Sequence, residues 1–228
     1  MPMPDNDRRR LAEGLAYLAL FTLTIPAANW MISHVGTTCV PNGPCLIPVA
    51  PGLTAPSAVV VVGLAFVLRD LVQRRLGARA SLAAIAVGAA LSALLAPAQI
   101  VVASTAAFLL SELADFAVYT PLQRRRFVLA VLLSSLAGLV VDSAIFLYLA
   151  FGSLNFLLGQ IVGKAWMVLL ALPFAAWLRR RDERLGLMPA ERVAFPPLRG
   201  YKPARACSTP LEARAHDRTG RRKAARGF

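Results

Sequence analysis

Apolar residues come along this chain in long unbroken runs, separated by short breaks that are basic or rich in Gly and Pro. Runs of about 20 residues are what a helix needs to cross the hydrocarbon core of a bilayer. A polar leader at 1–10 gives way to a first span at about 11–31. A loop rich in Gly, Pro and Thr (Ile32 to Pro51) precedes a second span at about 52–68, closed by Arg69-Asp70 and a basic connector to Arg79. From Ala80 to Tyr119 the apolar run is about twice the length of one span, with Pro97 near its middle. Two helices at about 80–96 and 98–119, joined by a tight turn at Ala96-Pro97-Ala98-Gln99, are the economical division. Pro121 to Arg126 then breaks the chain. Spans at about 127–150 and 156–178 follow, joined by Phe151-Gly-Ser-Leu-Asn155. After Arg179-Arg180-Arg181, residues 182–228 form a basic tail with little apolar periodicity, expected to be disordered.

Charge orients the runs. Alternate connectors hold Arg8 to Arg10, Arg69 to Arg79, Arg124 to Arg126, and Arg179 onwards, whereas those near Cys39, Pro97 and Gly152 hold no Lys or Arg. The positive-inside rule then puts both termini in the cytoplasm. The expected fold class is all-α: a polytopic membrane protein with six transmembrane helices, in a bacterial inner (plasma) membrane. Composition agrees, since 57% of the 228 residues are hydrophobic and 16% charged, against about 25% charged in soluble domains. The net charge of +13 lies in clusters between spans rather than on a soluble basic face, which excludes a nucleic-acid partner. Arg8-Arg9-Arg10 leads into an apolar run without an A-x-A cleavage site, so the first run is expected to be retained.

Ionisable residues inside such runs are costly, roughly 2.5–3.5 kcal/mol each on insertion scales, and point to function. Glu112 and Asp115 are three residues apart, share a helix face and must look into a protein interior or a watery cavity. Asp142 and Lys164 each lie nine residues from the turn at 151–155, about 13 Å deep on neighbouring helices. At matched depth they are expected to pair, either as a static register lock or as a site whose charges part and re-form. Asn29, Gln99 and Gln160 lie toward the outer half, as entrance residues or as helix–helix glue. Arg69, Asp70 and Gln73 mark the cytoplasmic end of the second span, as helix-end partners or an inner gate. Trp30, Tyr119, Tyr148 and Trp177 fall near interfaces, as an aromatic belt does, whereas Trp166, near Lys164, is a candidate to stack on a flat ligand. Cys39 and Cys45 share an exported loop, where a disulfide is permitted. Cys207, in the tail, is expected to be free. No metal site, cofactor fingerprint or catalytic constellation is visible, and His34 and His216 are isolated.

Several stretches resemble the VUT family of vitamin uptake transporters, also described as queuosine precursor transporters. They are Cys45-Leu-Ile-Pro-Val-Ala-Pro-Gly-Leu-Thr-Ala-Pro-Ser57, Gly63-Leu-Ala-Phe-Val-Leu-Arg-Asp-Leu-Val-Gln-Arg-Arg-Leu-Gly77, Ser104-Thr-Ala-Ala-Phe-Leu-Leu-Ser-Glu-Leu-Ala-Asp-Phe-Ala-Val-Tyr119 and Ser134-Ser-Leu-Ala-Gly-Leu-Val-Val-Asp-Ser143. The resemblance covers about Leu11 to Arg181 and implies a six-span importer of 7-deazapurine precursors. The substrate site is expected to draw on Asn29, Glu112, Asp115, Asp142, Gln160, Lys164 and Trp166, and for such a solute Glu112 would accept adjacent N–H groups while Asp142 and Asn29 complete the pocket. The alternative is a substrate-binding membrane subunit that needs a separate energising complex, for which the small residues Ala12, Ala16 and Ala19 would suit a docking helix. The partners expected are the small solute and the lipid bilayer, with a homo-oligomer or an energising protein left open. A third class is a scaffold whose acids only hold the bundle together. An intramembrane enzyme ranks last.

Overall fold

In a computed structural model of the chain, residues 5–187 are described, except Asn42, Pro97 and Gln99. Among the described residues six helices form: α1 (Asp5–His34), α2 (Val59–Leu76), α3 (Ala78–Leu95), α4 (Val101–Leu122), α5 (Phe127–Phe151) and α6 (Leu157–Leu185). Between α1 and α2 lie three short strands, β1 (Thr38–Cys39), β2 (Cys45–Ala50) and β3 (Leu53–Pro56). The long run from Ala80 does divide in two, since α3 ends at Leu95 and α4 begins at Val101. Pro97 and Gln99 of the expected turn lie outside the described residues.

Among the described residues five helices, α1 and α3 to α6, are long and apolar enough to cross a membrane. The chain is a multi-pass membrane protein. α2 is the exception, and it corrects the expectation for the second span. Residues 52–56 belong to a hairpin rather than a helix, because Pro48, Pro51 and Pro56 keep the stretch extended. Gly52, at φ +73°, supplies the left-handed turn between β2 and β3. The helix then starts at Val59 and runs straight through Arg69-Asp70, which lie inside it and not at its end. Every residue from Phe66 to Arg75 is buried, because α2 packs against all five other helices. Protein, not lipid, solvates its charges.

The strands form one antiparallel sheet in the order β1-β2-β3. Cys39 sits opposite Cys45 in the β1–β2 register, and the two are joined by a disulfide. At the other end of the bundle, α6 continues beyond the expected limit of 178 to Leu185 and buries Asp182. That carboxylate receives Arg74 (Nη2–Oδ2 2.6 Å) and Arg75 (Nη2–Oδ1 2.7 Å) from α2. Arg75 Nε also reaches Glu13 Oε2 of α1 at 2.9 Å, and Arg181 pairs with Glu13 as well. Residues expected to be a connector and the start of a tail thus tie α1, α2 and α6 together. Residues 188–228, with Cys207 and His216, lie outside the described part.

Candidate solute site

Glycines set how closely α2 and α6 approach. A Cβ on Gly63 would lie 2.5 Å from the Lys164 carbonyl oxygen, and one on Gly163 would lie 2.6 Å from Val59 Cγ2. This contact places Lys164 against α2 in the interior, 1% exposed. Gly63→Ala is expected to push α6 away and displace the lysine. Overpacking of this kind costs about 1–3 kcal/mol, so Tm in detergent falls by roughly 2–12 °C. An unchanged Tm would mean that the two helices slide apart freely.

Above the middle of the bundle is a cavity of about 90 Å³, several times the roughly 10–15 Å³ that one water needs. Asn29 from α1, Glu112 from α4, Asp142 from α5, and Gln160 and Lys164 from α6 all line it. Five of the expected substrate residues therefore converge from four helices. Lys164 Nζ donates to Asp142 Oδ2 (2.6 Å), Ser143 Oγ (2.8 Å) and Gln160 Oε1 (2.6 Å). The pair expected from matched depth is formed, with every ammonium proton engaged. Ser111 Oγ lies 3.5 Å from Asp142 Oδ1 and links that pair to α4. Phe66, Phe108 and Phe146 supply flat apolar walls. Asn29 Nδ2 donates back to the Ile25 carbonyl (2.9 Å) and leaves its oxygen for other partners.

One helical turn below, a charged layer closes the floor. Arg69 Nε donates to Glu112 Oε2 (3.2 Å), while its Nη2 meets Asp70 Oδ1 (2.8 Å) and Asp115 Oδ1 (2.6 Å). Its Nη1 donates to Gln73 Oε1 (2.9 Å), and Gln73 Nε2 donates to Thr120 Oγ1 (3.0 Å). Glu112 belongs to both levels: it lines the cavity and holds the arginine. Arg69, Asp70 and Gln73 form a buried plug, not a helix end.

Two expected members of the substrate set lie elsewhere. Asp115 lies one turn beyond Glu112, faces Arg69 and does not line the cavity. Trp166 is 53% exposed, with Nε1 donating to the Val49 carbonyl at 3.0 Å. Residues two apart on a helix do not share a face, so Trp166 cannot join Lys164 inside. Tyr119 also departs from the aromatic belt: it is fully buried, and Arg69 Cζ lies 5.5 Å from its ring centre. Trp30, Tyr148 and Trp177 are exposed, as belt residues are. Arg69 as the hub and the three phenylalanines were not singled out from sequence. A second span read as running past residue 68 would have exposed the arginine.

Residues 92–178 match the family model described as "Putative vitamin uptake transporter". The resemblance to VUT transporters is thus supported over the end of α3, all of α4 and α5, and α6 as far as Leu178. That region holds Glu112, Asp115, Asp142, Gln160 and Lys164, whereas Asn29 and Arg69 lie outside it. No curated protein and no solved structure matches the chain.

Proposed function

We propose that the chain imports a small planar heterocycle, of the 7-deazaguanine type that serves as a queuosine precursor, across a bacterial inner membrane. In this reading all six helices span, both termini are cytoplasmic, and the disulfide-bonded sheet faces the exported side. The observation that carries it is the cavity, whose lining combines three phenylalanines with a carboxylate, an acid–ammonium pair and two amides. Binding sites for flat solutes combine apolar walls with a few convergent polar groups. A deazaguanine offers adjacent N–H donors, and a carboxylate accepts two in parallel. Glu112 is suited to that edge, Asn29 and Gln160 to the remaining donors and acceptors, and a phenylalanine ring to the face.

The test is uptake of a labelled 7-deazaguanine-type precursor by cells that lack their own route, with wild type and Glu112→Gln at equal membrane abundance. A charged hydrogen bond contributes about 1.5–3 kcal/mol, so the variant is expected to lose roughly ten- to a hundredfold in uptake. Equal uptake by both would remove Glu112 from the binding set. Uptake by neither would overturn the deazapurine reading. Uptake in cells that vanishes with the purified protein, and returns with a nucleotide-hydrolysing partner, would favour the multi-component subunit instead.

A further inference from the structure

Charges in the interior do not balance. Asp70, Glu112, Asp115 and Asp142 face two cations among the described residues, Arg69 and Lys164. The next cation along α2, Arg74, is held by Asp182, and Arg75 by Asp182 and Glu13. α1 between Gly14 and Ser33, and α3 between Ala80 and Leu95, carry no Asp, Glu, Lys or Arg. α5 adds Ser134 to the layer beneath the cavity, and α4 adds the Tyr119 phenol. The Arg69 layer is left with two formal negative charges, and the cluster of Arg74, Arg75 and Arg181 on Asp182 and Glu13 with one formal positive charge.

The surplus has a location. Asp70 and Asp115 each place Oδ1 on the same nitrogen, Arg69 Nη2. Ser134, 3.0 Å from Asp70 Oδ2, also faces Asp115 and has one hydroxyl proton for the two of them. Asp115 is fully buried, and its Oδ2 accepts no hydrogen bond from any described residue. A buried acceptor without a donor is costly, and two like charges drawn to one point repel strongly in a low dielectric. One proton on either carboxyl removes the repulsion between the two and halves the surplus. Among the described residues no group of His, Cys, Asp or Glu is arranged to hold a metal ion.

We infer that the Arg69 layer binds a transported proton and that the solute is carried in symport with it. The inference rests on the importer reading above. Glu112 is the entry point, because it lines the cavity and also touches Arg69, whereas Asp70 and Asp115 do not reach the cavity. While the cavity is wet, water solvates Glu112, which leaves more of the Arg69 charge to the two aspartates. Closing over a neutral heterocycle expels that water and supplies no cation, so closure with the proton bound is favoured over closure without it. Solute and proton therefore cross together. The step is one of ionisation only: a carboxylate takes a proton from water on the outer side and returns it on the inner side.

Two measurements test this. The first needs no solute: infrared difference spectra of the purified protein, taken between neutral and alkaline pH. A protonated carboxylic acid band at neutral pH, lost in Asp115→Asn of unchanged helix content, supports the bound proton. Carboxyls ionised throughout would overturn it. The second uses proteoliposomes clamped at zero membrane potential and labelled 7-deazaguanine. One proton per neutral solute allows up to about tenfold accumulation per unit of pH gradient, acid outside. Accumulation that ignores the pH gradient or follows sodium instead would overturn symport. An infrared band without any solute uptake would support the bound proton and overturn the deazapurine reading.

Discussion

Replacing Arg69 with Met is expected to leave little folded protein in the membrane. The guanidinium serves three carboxylates and Gln73 at once, fully buried. Removing one partner of a buried ion pair costs about 3–5 kcal/mol, because the other charge stays buried and uncompensated. Here three carboxylates would lose their cation together. Marginal stabilities of about 5–15 kcal/mol leave small room for that loss. Arg69→Lys separates charge from shape: an ammonium restores one positive charge but has no planar fork to reach Glu112, both aspartates and Gln73 together. Its abundance is expected to recover in part, with uptake still lost. The double variant Arg69→Met/Asp115→Asn is expected to be more abundant than Arg69→Met alone, and the difference measures the coupling between the two residues. Membrane abundance and Tm in detergent are the readouts. An Arg69→Met protein as abundant and as stable as wild type would show that the layer does not hold the bundle.

What could be read in advance follows from what each signal depends on. The apolar runs of α4, α5 and α6 are legible because lipid contact demands hydrophobicity all along the segment, and that demand is local. α2 obeys a different rule. Surrounded by five helices, it answers to the side chains of its neighbours. Its Arg69, Asp70, Gln73, Arg74 and Arg75 therefore look like a connector until Glu112, Asp115, Asp182 and Glu13 are placed beside them. Depth from a turn was enough to bring Asp142 to Lys164, since counting residues along two adjacent helices fixes height. It could not fix azimuth, which is why Trp166 points outward from a turn whose lysine points in. Spacing placed Glu112 and Asp115 on one face, but not the level at which the cavity stops between them. The sheet was legible only as a Gly- and Pro-rich loop, because strand pairing is a non-local property.

The Asp142–Lys164 pair decides between a lock and a moving part. A static lock and a site make the same prediction for single changes: Lys164→Met leaves Asp142 without its cation, and Asp142→Asn leaves the buried ammonium without its counter-charge. Both are expected to lose abundance, by the same argument as for Arg69. The double variant Lys164→Met/Asp142→Asn is the informative one, because it removes both charges and with them the desolvation cost. A register lock replaced by a neutral pair is expected to regain abundance and uptake together. A solute site is expected to regain abundance while uptake stays at least about tenfold down, since the loss of one charged contact from a bound solute is worth roughly 1.5–3 kcal/mol. The geometry favours the second outcome. Both side chains line the cavity, and Lys164 donates at once to Asp142 and to Gln160, so a solute that takes either acceptor must compete for the ammonium. A lock meant only for the register of α5 and α6 has no need to face a cavity. Uptake restored to wild-type level in the double variant would return the pair to a purely architectural role and leave Glu112 as the charged contact for the solute.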